Sequence, residues 1–348
     1  MILKDLSEAV GVSGKEDAVR EVVLNAIESH AASIRIDALG SVTALKKGTG
    51  AQPLRVMVAA HMDEIGFIVT GVDSDGLIRF SAIGGVDDRI LPGLRLRVGA
   101  DLLPGVVVWT PIHQNRDQNV VKLSALRIDI GASSKDEVNG KVKPGEHIVF
   151  DSKYAELSPK IVRGKAFDDR AGCSLLVDVL QAGAYVNDVL AAFTVQEEIG
   201  LRGAQVAAQA LKPDVAFVLE GTTAHDLPNP LADPDEDDAP NPTTRLGHGP
   251  ALTFMDRSMI TDPRLVRFLR ALAEKHGIPY QFKTQLGGGT DAGSIHTALG
   301  GVPAAVISLP CRYIHSPAAL LNLDDYQNAL KLIQAALNEL TAGTLARA

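Results

Sequence analysis

The sequence predicts an α/β domain that is interrupted by a smaller insertion made of β-strands. Nearly all-apolar runs such as Leu54–Ala60 and Val302–Leu309 recur in the outer parts of the chain. Because a continuous apolar run is typical of a strand buried on both faces, these runs predict the sheet of an α/β domain. Segments with helical spacing of apolar residues alternate with them, whereas the middle third has short β-like runs between turn residues.

The N-terminal part predicts one helix and three strands. After a break at Val12–Gly14, apolar residues recur at helical spacing over positions 18–27, with charged residues between them. The alternating stretches Ser33–Asp37 and Ser41–Lys46 predict two half-buried strands, and Leu54–Ala60 predicts a fully buried one.

The middle third predicts a small β-barrel or β-sandwich. Its short strand-like runs are bounded by Gly, Pro and Asp, which is typical of closely spaced strands. The predicted strands are Leu77–Phe80, Leu94–Val98, Gly105–Trp109, Asn119–Leu123 and His147–Phe150. Only Ser133–Asn139 has helical spacing in this part.

The α/β alternation resumes after about residue 156. The predicted helices are Asp169–Ala184, Gly203–Ala210, one from Thr261 to Gly277, and Asp324–Leu340; the predicted strands are Val189–Val195, Asp214–Leu219 and Val302–Leu309. Thr261-Asp262-Pro263 is a strong helix start, because a capping residue precedes a proline in the first turn. The acidic, proline-rich stretch Leu231–Pro242 predicts a solvated loop.

Composition excludes several classes of protein. The chain has 348 residues, enough for about two domains. Its net charge of −8 provides no basic surface for nucleic acid or an anionic membrane. No apolar run is long enough for a membrane span or a signal peptide. The two cysteines, Cys173 and Cys311, exclude a disulfide framework, so we expect buried thiols and a cytoplasmic protein.

Chemically reactive side chains follow the predicted buried strands. Ligands bind at the carboxyl edge of an open α/β sheet, where parallel strands end together. Five separate strand ends or loops carry such residues: His61, Asp168, Glu197 with Glu198, Glu220 and His315. Taken singly, each has a simpler explanation, such as a turn at Asp63 or helix capping by Asp168 and Asp169. Together they predict one site.

Two histidines and several carboxylates suit a hydrolytic site for two metal ions. The mixed imidazole and carboxylate donors favour Zn, Co or Mn over a thiolate site. Asp63, two residues after His61, can orient its imidazole. Neighbouring side chains of an extended chain point in opposite directions, so one of Glu197 and Glu198 can bind metal while the other acts as general base.

These residues lie in motifs that resemble metallopeptidase family 42, the tetrahedral (TET) aminopeptidases. The family includes deblocking and glutamyl aminopeptidases, and some members carry the older label endoglucanase M. The resemblance covers nearly the whole chain. Its motifs are His61–Phe67, Ala166–Gly172, Gln196–Ala204, Gly288–Ala292 and Arg312–Pro317, with Gly11–Gly14 and Asp129–Ala132 in support.

The resemblance implies a three-layer di-metal aminopeptidase fold of the phosphorylase/hydrolase-like type. Residues 1–68 and 158–348 would form the catalytic domain, and residues 69–157 an inserted β-barrel that helps to build a dodecamer from dimers. The implied activity is the removal of N-terminal amino acids from peptides, with two divalent ions per subunit, Zn, Co or Mn.

The resemblance also assigns roles to residues. Asp168 would bridge the two metals; His61 and Glu220 would complete one ion, and Glu198 and His315 the other. Glu197 would be the general base for attack by a metal-bridging hydroxide, and Asp63 the partner of His61. The family often has Asp where this chain has Glu220, and Asp226 is a weaker substitute.

Other classes remain as alternatives on the sequence alone. They are a carboxypeptidase or deacylase on a related scaffold, a glycosidase with two carboxylates and no metal, and a non-catalytic binding protein. The residue patterns do not reveal which N-terminal side chain is preferred, which metal is native, which oligomer is active, or what the Leu231–Pro242 loop does.

Overall fold

The computed structural model describes residues 1–111, 113, 119–227 and 242–347. Most of the predicted Leu231–Pro242 loop therefore lies outside the described residues. The strands are β1 (Ser33–Ile36), β2 (Val42–Lys46), β3 (Arg55–His61), β4 (Gly66–Val72), β5 (Ile78–Ile83), β6 (Arg95–Val98), β7 (Leu103–Val108), β8 (Arg127–Asp129), β9 (His147–Phe150), β10 (Ala155–Glu156), β11 (Ile161–Gly164), β12 (Asp188–Thr194), β13 (Val215–Thr223), β14 (Ala251–Leu252), β15 (Gln281–Phe282), β16 (Ala304–Arg312) and β17 (Ala319–Asn322).

The helices lie mainly outside the middle third. They are α1 (Leu3–Glu8), α2 (Asp17–Ile27), α3 (Lys135–Val138), α4 (Phe167–Gln181), α5 (Arg202–Leu211), α6 (Pro263–His276), α7 (Ala292–Ile295), α8 (Leu323–Glu339) and α9 (Ala342–Leu345). As predicted, the Asp262 side chain caps α6 by accepting a hydrogen bond from the Arg264 N–H. None of the helices in the described ranges is long and apolar enough to cross a membrane.

The outer parts of the chain form a three-layer α/β domain around one mixed sheet. Its main strand order is β1-β2-β12-β3-β13-β16-β17-β11-β10, and the central strands β12, β3, β13 and β16 are parallel. Val56 and Val58 pack on the side of α2, α4, α6 and α8, whereas Met57 and Ala59 pack towards α5 and α7. The apolar runs are therefore buried on both faces, as the sequence predicts.

The insertion is a closed barrel with strand order β4-β5-β8-β7-β6-β9. Its separate apolar core includes Phe67, which meets Phe80 and Phe150 edge-on at ring-centroid distances of 5.3 and 5.6 Å. The expectation of an α/β domain with an inserted barrel is confirmed. The boundaries at residues 68 and 158 stay a prediction, although the barrel strands run from Gly66 to Phe150.

One predicted strand is wrong. Asn119–Leu123 is irregular and leads into a short 3₁₀ turn at Leu123–Ala125, and the barrel strand of this region is β8, which begins at Arg127. Val120 is exposed, and Val121 is only half-buried against the barrel core, so this apolar run does not form the fully buried face of a strand. Short β-like runs are ambiguous because their pattern is read from only four or five residues.

A buried ionic network joins the N-terminus to the sheet edge. The Arg170 guanidinium is fully buried and donates to the carbonyl oxygens of Leu6 (2.6 Å) and Met62 (2.7 Å). It also meets Glu64 Oε1 at 3.3 Å, and Lys165 Nζ donates to the same oxygen at 2.6 Å. These contacts hold the segment after β3 against α1 and α4, because each buried charge needs its partners.

Replacing Arg170 tests this network. We expect Arg170→Met to lower the free energy of unfolding by roughly 3–5 kcal/mol, because it leaves the buried carbonyl oxygens of Leu6 and Met62 without a donor and Glu64 with Lys165 alone. The measurement is the urea midpoint, with Arg267→Met as control, since Arg267 is exposed on α6. Equal midpoints for the two variants would contradict the prediction.

Candidate metal centre

The structure brings the predicted reactive residues together at the carboxyl edge of the central sheet. His61 is the last residue of β3, and Glu220 lies near the end of β13. Glu197 and Glu198 follow β12, Asp168 lies at the start of α4, and His315 follows β16. Residues from five parts of the chain meet because the parallel strands all end at this edge.

Asp168 lies between the two histidines. Its Oδ1 is 3.3 Å from His61 Nε2, and its Oδ2 is 3.2 Å from His315 Nε2. Glu220 Oε1 is 3.2 Å from His61 Nε2, and Glu198 Oε1 is 3.3 Å from His315 Nε2. The arrangement thus divides into two groups that share Asp168, each with one imidazole and one further carboxylate.

Glu197 lies beside the first of these groups. Its Oε2 is 3.9 Å from His61 Nε2, and donor atoms of Glu197, His61 and Glu220 come within 4.8 Å of one another. Glu197 is therefore close enough to act either as a ligand or as a base. Asp168, Asp169 and Glu220 form a further such group.

The donor set and its charge fit divalent cations. Within the described residues, Glu220 Oε2 is buried and accepts no hydrogen bond, which costs free energy unless a cation or a donor is present. Burial disfavours the charged form of His315, but Asp168 and Glu198 raise its pKa to about 11. Burial raises the pKa of Glu220 well above its ordinary value. The raised pKa values of His315 and Glu220 also reflect the close approach of several carboxylates. Bound cations would neutralise this excess of negative charge.

Asp63 contacts His61 mainly through its backbone carbonyl oxygen, whereas the sequence predicts a contact through its carboxylate. His61 Nδ1 is 3.0 Å from the Asp63 carbonyl oxygen and 3.4 Å from Oδ1. The carboxylate instead accepts hydrogen bonds from Ser13 Oγ (2.6 Å) and from the N–H groups of Glu197 (2.9 Å) and Glu198 (3.1 Å). Asp63 therefore positions residues from three segments of the chain.

The barrel also contributes to the site. The carbonyl oxygen of Gly85, in the loop after β5, lies 2.9 Å from His315 Nδ1. A proton on Nδ1 leaves Nε2 free to face Asp168 and Glu198. At the preceding Gly84, where φ is +78°, a Cβ atom would lie 3.2 Å from Glu198 and 2.7 Å from Ile65 Cγ2. Sequence reasoning missed this loop.

Two further buried carboxylates, which were not among the predicted ligands or the predicted base, lie at the cluster. Asp169 accepts hydrogen bonds from the N–H groups of His61 (3.2 Å) and Gly172 (3.0 Å), and the second bond is the helix capping that the sequence favoured. Asp291 accepts a hydrogen bond from Thr194 Oγ1, and burial raises its pKa to about 6. The signal for Asp291 was its place in the Gly288–Ala292 motif.

Three other residues follow the sequence expectations. Cys173 and Cys311 are free and buried, and Cys173 Sγ donates to the His61 carbonyl oxygen at 3.1 Å. Asp226 is occupied elsewhere, since both its oxygens accept hydrogen bonds from Arg312, at 2.6 and 2.9 Å. It does not replace Glu220 in the cluster.

A cavity of about 1360 Å³ opens onto this cluster. One part of the cavity is lined by the cluster residues Asp168, Glu197, Glu198, Glu220 and His315. The volume exceeds the range that is usual for small-molecule sites. Glu197 is thus placed where it can reach a bound molecule.

Fold and site together define a class: a three-layer α/β protein with an inserted barrel and a cluster suited to divalent cations. Comparison with known proteins identifies the family. The model of the M42 glutamyl aminopeptidase family matches residues 40–332. The chain therefore belongs to the M42 family and is an aminopeptidase of that family.

Individual relatives agree with this assignment. A putative aminopeptidase of Acetivibrio thermocellus is 38% identical over 97% of both chains. The structure of an aminopeptidase from Desulfurococcus kamchatkensis has a TM-score of 0.92 at 38% identity, covering 99% of this chain and 95% of that one. The TET1 peptidase of Pyrococcus horikoshii has a TM-score of 0.83 at 34% identity, covering 97% and 98%.

The contact between barrel and cluster can be tested at Gly84. We expect Gly84→Ala to lower the affinity of the site for Zn²⁺ about tenfold, because the added Cβ displaces Glu198 from its position. The measurement is competition with a chromophoric chelator.

Gly93 provides the matched control. Its φ is +81°, and an added Cβ meets nothing within 4 Å, so Gly93→Ala introduces similar backbone strain without the contact. Equal Zn²⁺ affinities for the two variants would contradict the role of the loop.

Proposed function

We propose that this protein removes N-terminal amino acids from peptides in a reaction that depends on two divalent cations per subunit. The observation that carries the proposal is the position of Asp168, whose two oxygens face His61 and His315 separately. A single carboxylate shared by two imidazole-containing groups is the arrangement expected for paired metal ions.

The two groups of side chains that share Asp168 identify the proposed metal ligands. His61 and Glu220 would hold one cation, Glu198 and His315 the other, and Asp168 both. Imidazole and carboxylate donors without thiolate suit Zn, Co or Mn. Such ions would polarise the carbonyl of the scissile bond and lower the pKa of a water molecule. Glu220 has one methylene more than aspartate, and its Oε1 still lies 3.2 Å from His61 Nε2.

Glu197 is the proposed general base. It lines the cavity, and burial raises the pKa of its carboxyl group well above the ordinary value. A carboxylate with a raised pKa accepts a proton more readily from an attacking water and can then donate it to the leaving amine. Asp63 fixes the Glu197 backbone through the 2.9 Å hydrogen bond to its N–H.

Substitution of Glu197 separates the base from the ligands. Glu197→Gln should lower kcat for an amino-acyl p-nitroanilide by roughly 10²–10⁴-fold, because it removes the proton acceptor. Its metal content should be unchanged. Atomic absorption of the purified variant and a rate assay give the two readouts.

Asp168→Ala is the comparison for metal loss, since it removes the carboxylate shared by both groups. Substantial activity in Glu197→Gln would contradict its role as base. Loss of metal from that variant would instead make Glu197 a ligand. Two tightly bound ions in Asp168→Ala would contradict the bridging role.

We further propose that the protein forms a dodecamer from dimers through the barrel domain of residues 69–157, and that it is cytoplasmic. Support for assembly comes from the Pyrococcus horikoshii TET1 peptidase, which can assemble into a tetrahedron or a large octahedral shell. The two free, buried thiols agree with a reducing compartment.

Light scattering tests the assembly. The subunit mass is 36.8 kDa, and the expected particle contains twelve subunits. Deletion of the barrel is unsuitable as a test because its loop contacts His315. A strict monomer at micromolar concentration would contradict the proposal.

A further inference from the structure

A buried acidic side chain near the N-terminus has no part in the metal cluster. Glu16 is only 2% exposed and stands at the N-cap position of α2. A side-chain oxygen at this position commonly accepts a hydrogen bond from the first N–H groups of the helix. The Glu16 side chain makes no such capping bond, so burial of its carboxylate requires other partners.

The Glu16 carboxylate joins the N-terminal segment to the loop that carries the proposed base. Its Oε1 accepts hydrogen bonds from the N–H of Gly14 at 2.7 Å and from the N–H of Gln196 at 3.3 Å. Gln196 lies directly before Glu197 and Glu198. The contact therefore joins residues 180 positions apart in the chain and ends one residue from the base.

Two buried carboxylates bind three consecutive N–H groups of this loop. Glu16 accepts from Gln196, and Asp63 accepts from Glu197 at 2.9 Å and from Glu198 at 3.1 Å. Successive backbone N–H groups in a turn can form a concavity that binds an anion. Here the acceptors are carboxylates of the protein itself, so the backbone of the loop is held by contacts within the chain.

The conformation of Gln196 explains why the loop needs this support. Its φ is +57°, in the left-handed region that glycine adopts readily and other residues adopt with strain. Such strain persists only where the surrounding contacts hold the backbone in place. Glu16 is the carboxylate whose hydrogen bond goes to Gln196 itself. A change of φ at Gln196 would redirect the chain that follows, including the side chain of Glu197.

We propose that Glu16 is a positioning residue, whose carboxylate holds Gln196 in the left-handed conformation and thereby directs Glu197 towards the cavity. The inference rests on the proposed role of Glu197 as general base. Glu16 is not among the described residues that line the cavity, so it acts through the backbone of Gln196. Its effect should fall on kcat more than on KM, because a base displaced by about 1 Å loses much of its efficiency.

Two conservative substitutions separate the reach of the Glu16 side chain from its charge. Glu16→Gln keeps an oxygen at the same distance from the backbone, whereas Glu16→Asp keeps the charge and is one methylene shorter. At saturating Zn²⁺, we expect Glu16→Asp to lower kcat by about tenfold for a p-nitroanilide that the wild type cleaves, with KM changed less than about twofold. Glu16→Gln should keep kcat within about threefold of the wild type.

Glu21 provides the matched control, since it is an exposed residue of the same helix. Glu21→Asp and Glu21→Gln make the same chemical changes away from the loop, and they should leave kcat within about twofold of the wild type.

The left-handed conformation of Gln196 allows a second test. In a Gln196→Gly background this conformation carries no steric cost. Adding Glu16→Asp should then lower kcat by less than about threefold relative to Gln196→Gly alone. An equal loss of kcat in both backgrounds would overturn the link between Glu16 and Gln196.

Hydrogen exchange gives a readout that does not depend on activity. In peptides that cover residues 195–198, mass spectrometry should detect one amide hydrogen that exchanges about tenfold faster in Glu16→Asp than in the wild type. Glu21→Asp should leave this exchange unchanged. Identical exchange in Glu16→Asp and the wild type would overturn the inference.

The remaining outcomes separate this inference from the proposed function. A greater loss of kcat in Glu16→Gln than in Glu16→Asp would overturn the inference, because charge and not reach would then matter. A fall in kcat that is matched by loss of bound Zn²⁺ would overturn it too. Failure of the proposed function has a different signature: the wild type cleaves no amino-acyl anilide with Zn, Co or Mn, while exchange in the loop still responds to Glu16→Asp.

Discussion

The buried carboxylate of Asp63 is the constraint on which the geometry of the site depends. It accepts hydrogen bonds from Ser13 near the N-terminus and from the N–H groups of Glu197 and Glu198 after β12. Burial alone would raise its pKa, but the interaction with His61 and these donors hold the pKa below its ordinary value. Since an unpartnered buried carboxylate is strongly unfavourable, these segments are stable only when they are together.

The neighbouring Glu64 extends this constraint to the other side of the chain. Its carboxylate meets Lys165 and Arg170, which also bind backbone carbonyl groups near the N-terminus. Both residues flank Asp168 in sequence, so the network that holds the segment after β3 also fixes the start of α4. The ligands of the cluster are thus held by contacts that do not themselves involve metal. Such a site loses little conformational entropy when cations bind.

The inserted barrel belongs to the site as well as to the proposed assembly. Gly85 in its loop contacts His315, and the absence of a side chain at Gly84 leaves space for Glu198. The same loop region contributes Asp87 and Ile90 to the cavity. Changes in the barrel can therefore alter both the second group of ligands and access to the cavity.

The sequence by itself determined the buried strands, a β-rich insertion and the cluster residues, and the resemblance to metallopeptidase family 42 implied that the insertion is a barrel. It could do so because apolar runs identify the strands, and parallel strands deliver the residues at their ends to one edge. Only the tertiary structure decided that Asp63 faces His61 through its carbonyl and that Gly85 orients His315. It also replaced the predicted strand at Asn119–Leu123. These features depend on contacts between residues far apart in the chain or on burial of a short segment, and neither leaves a periodic pattern in the sequence.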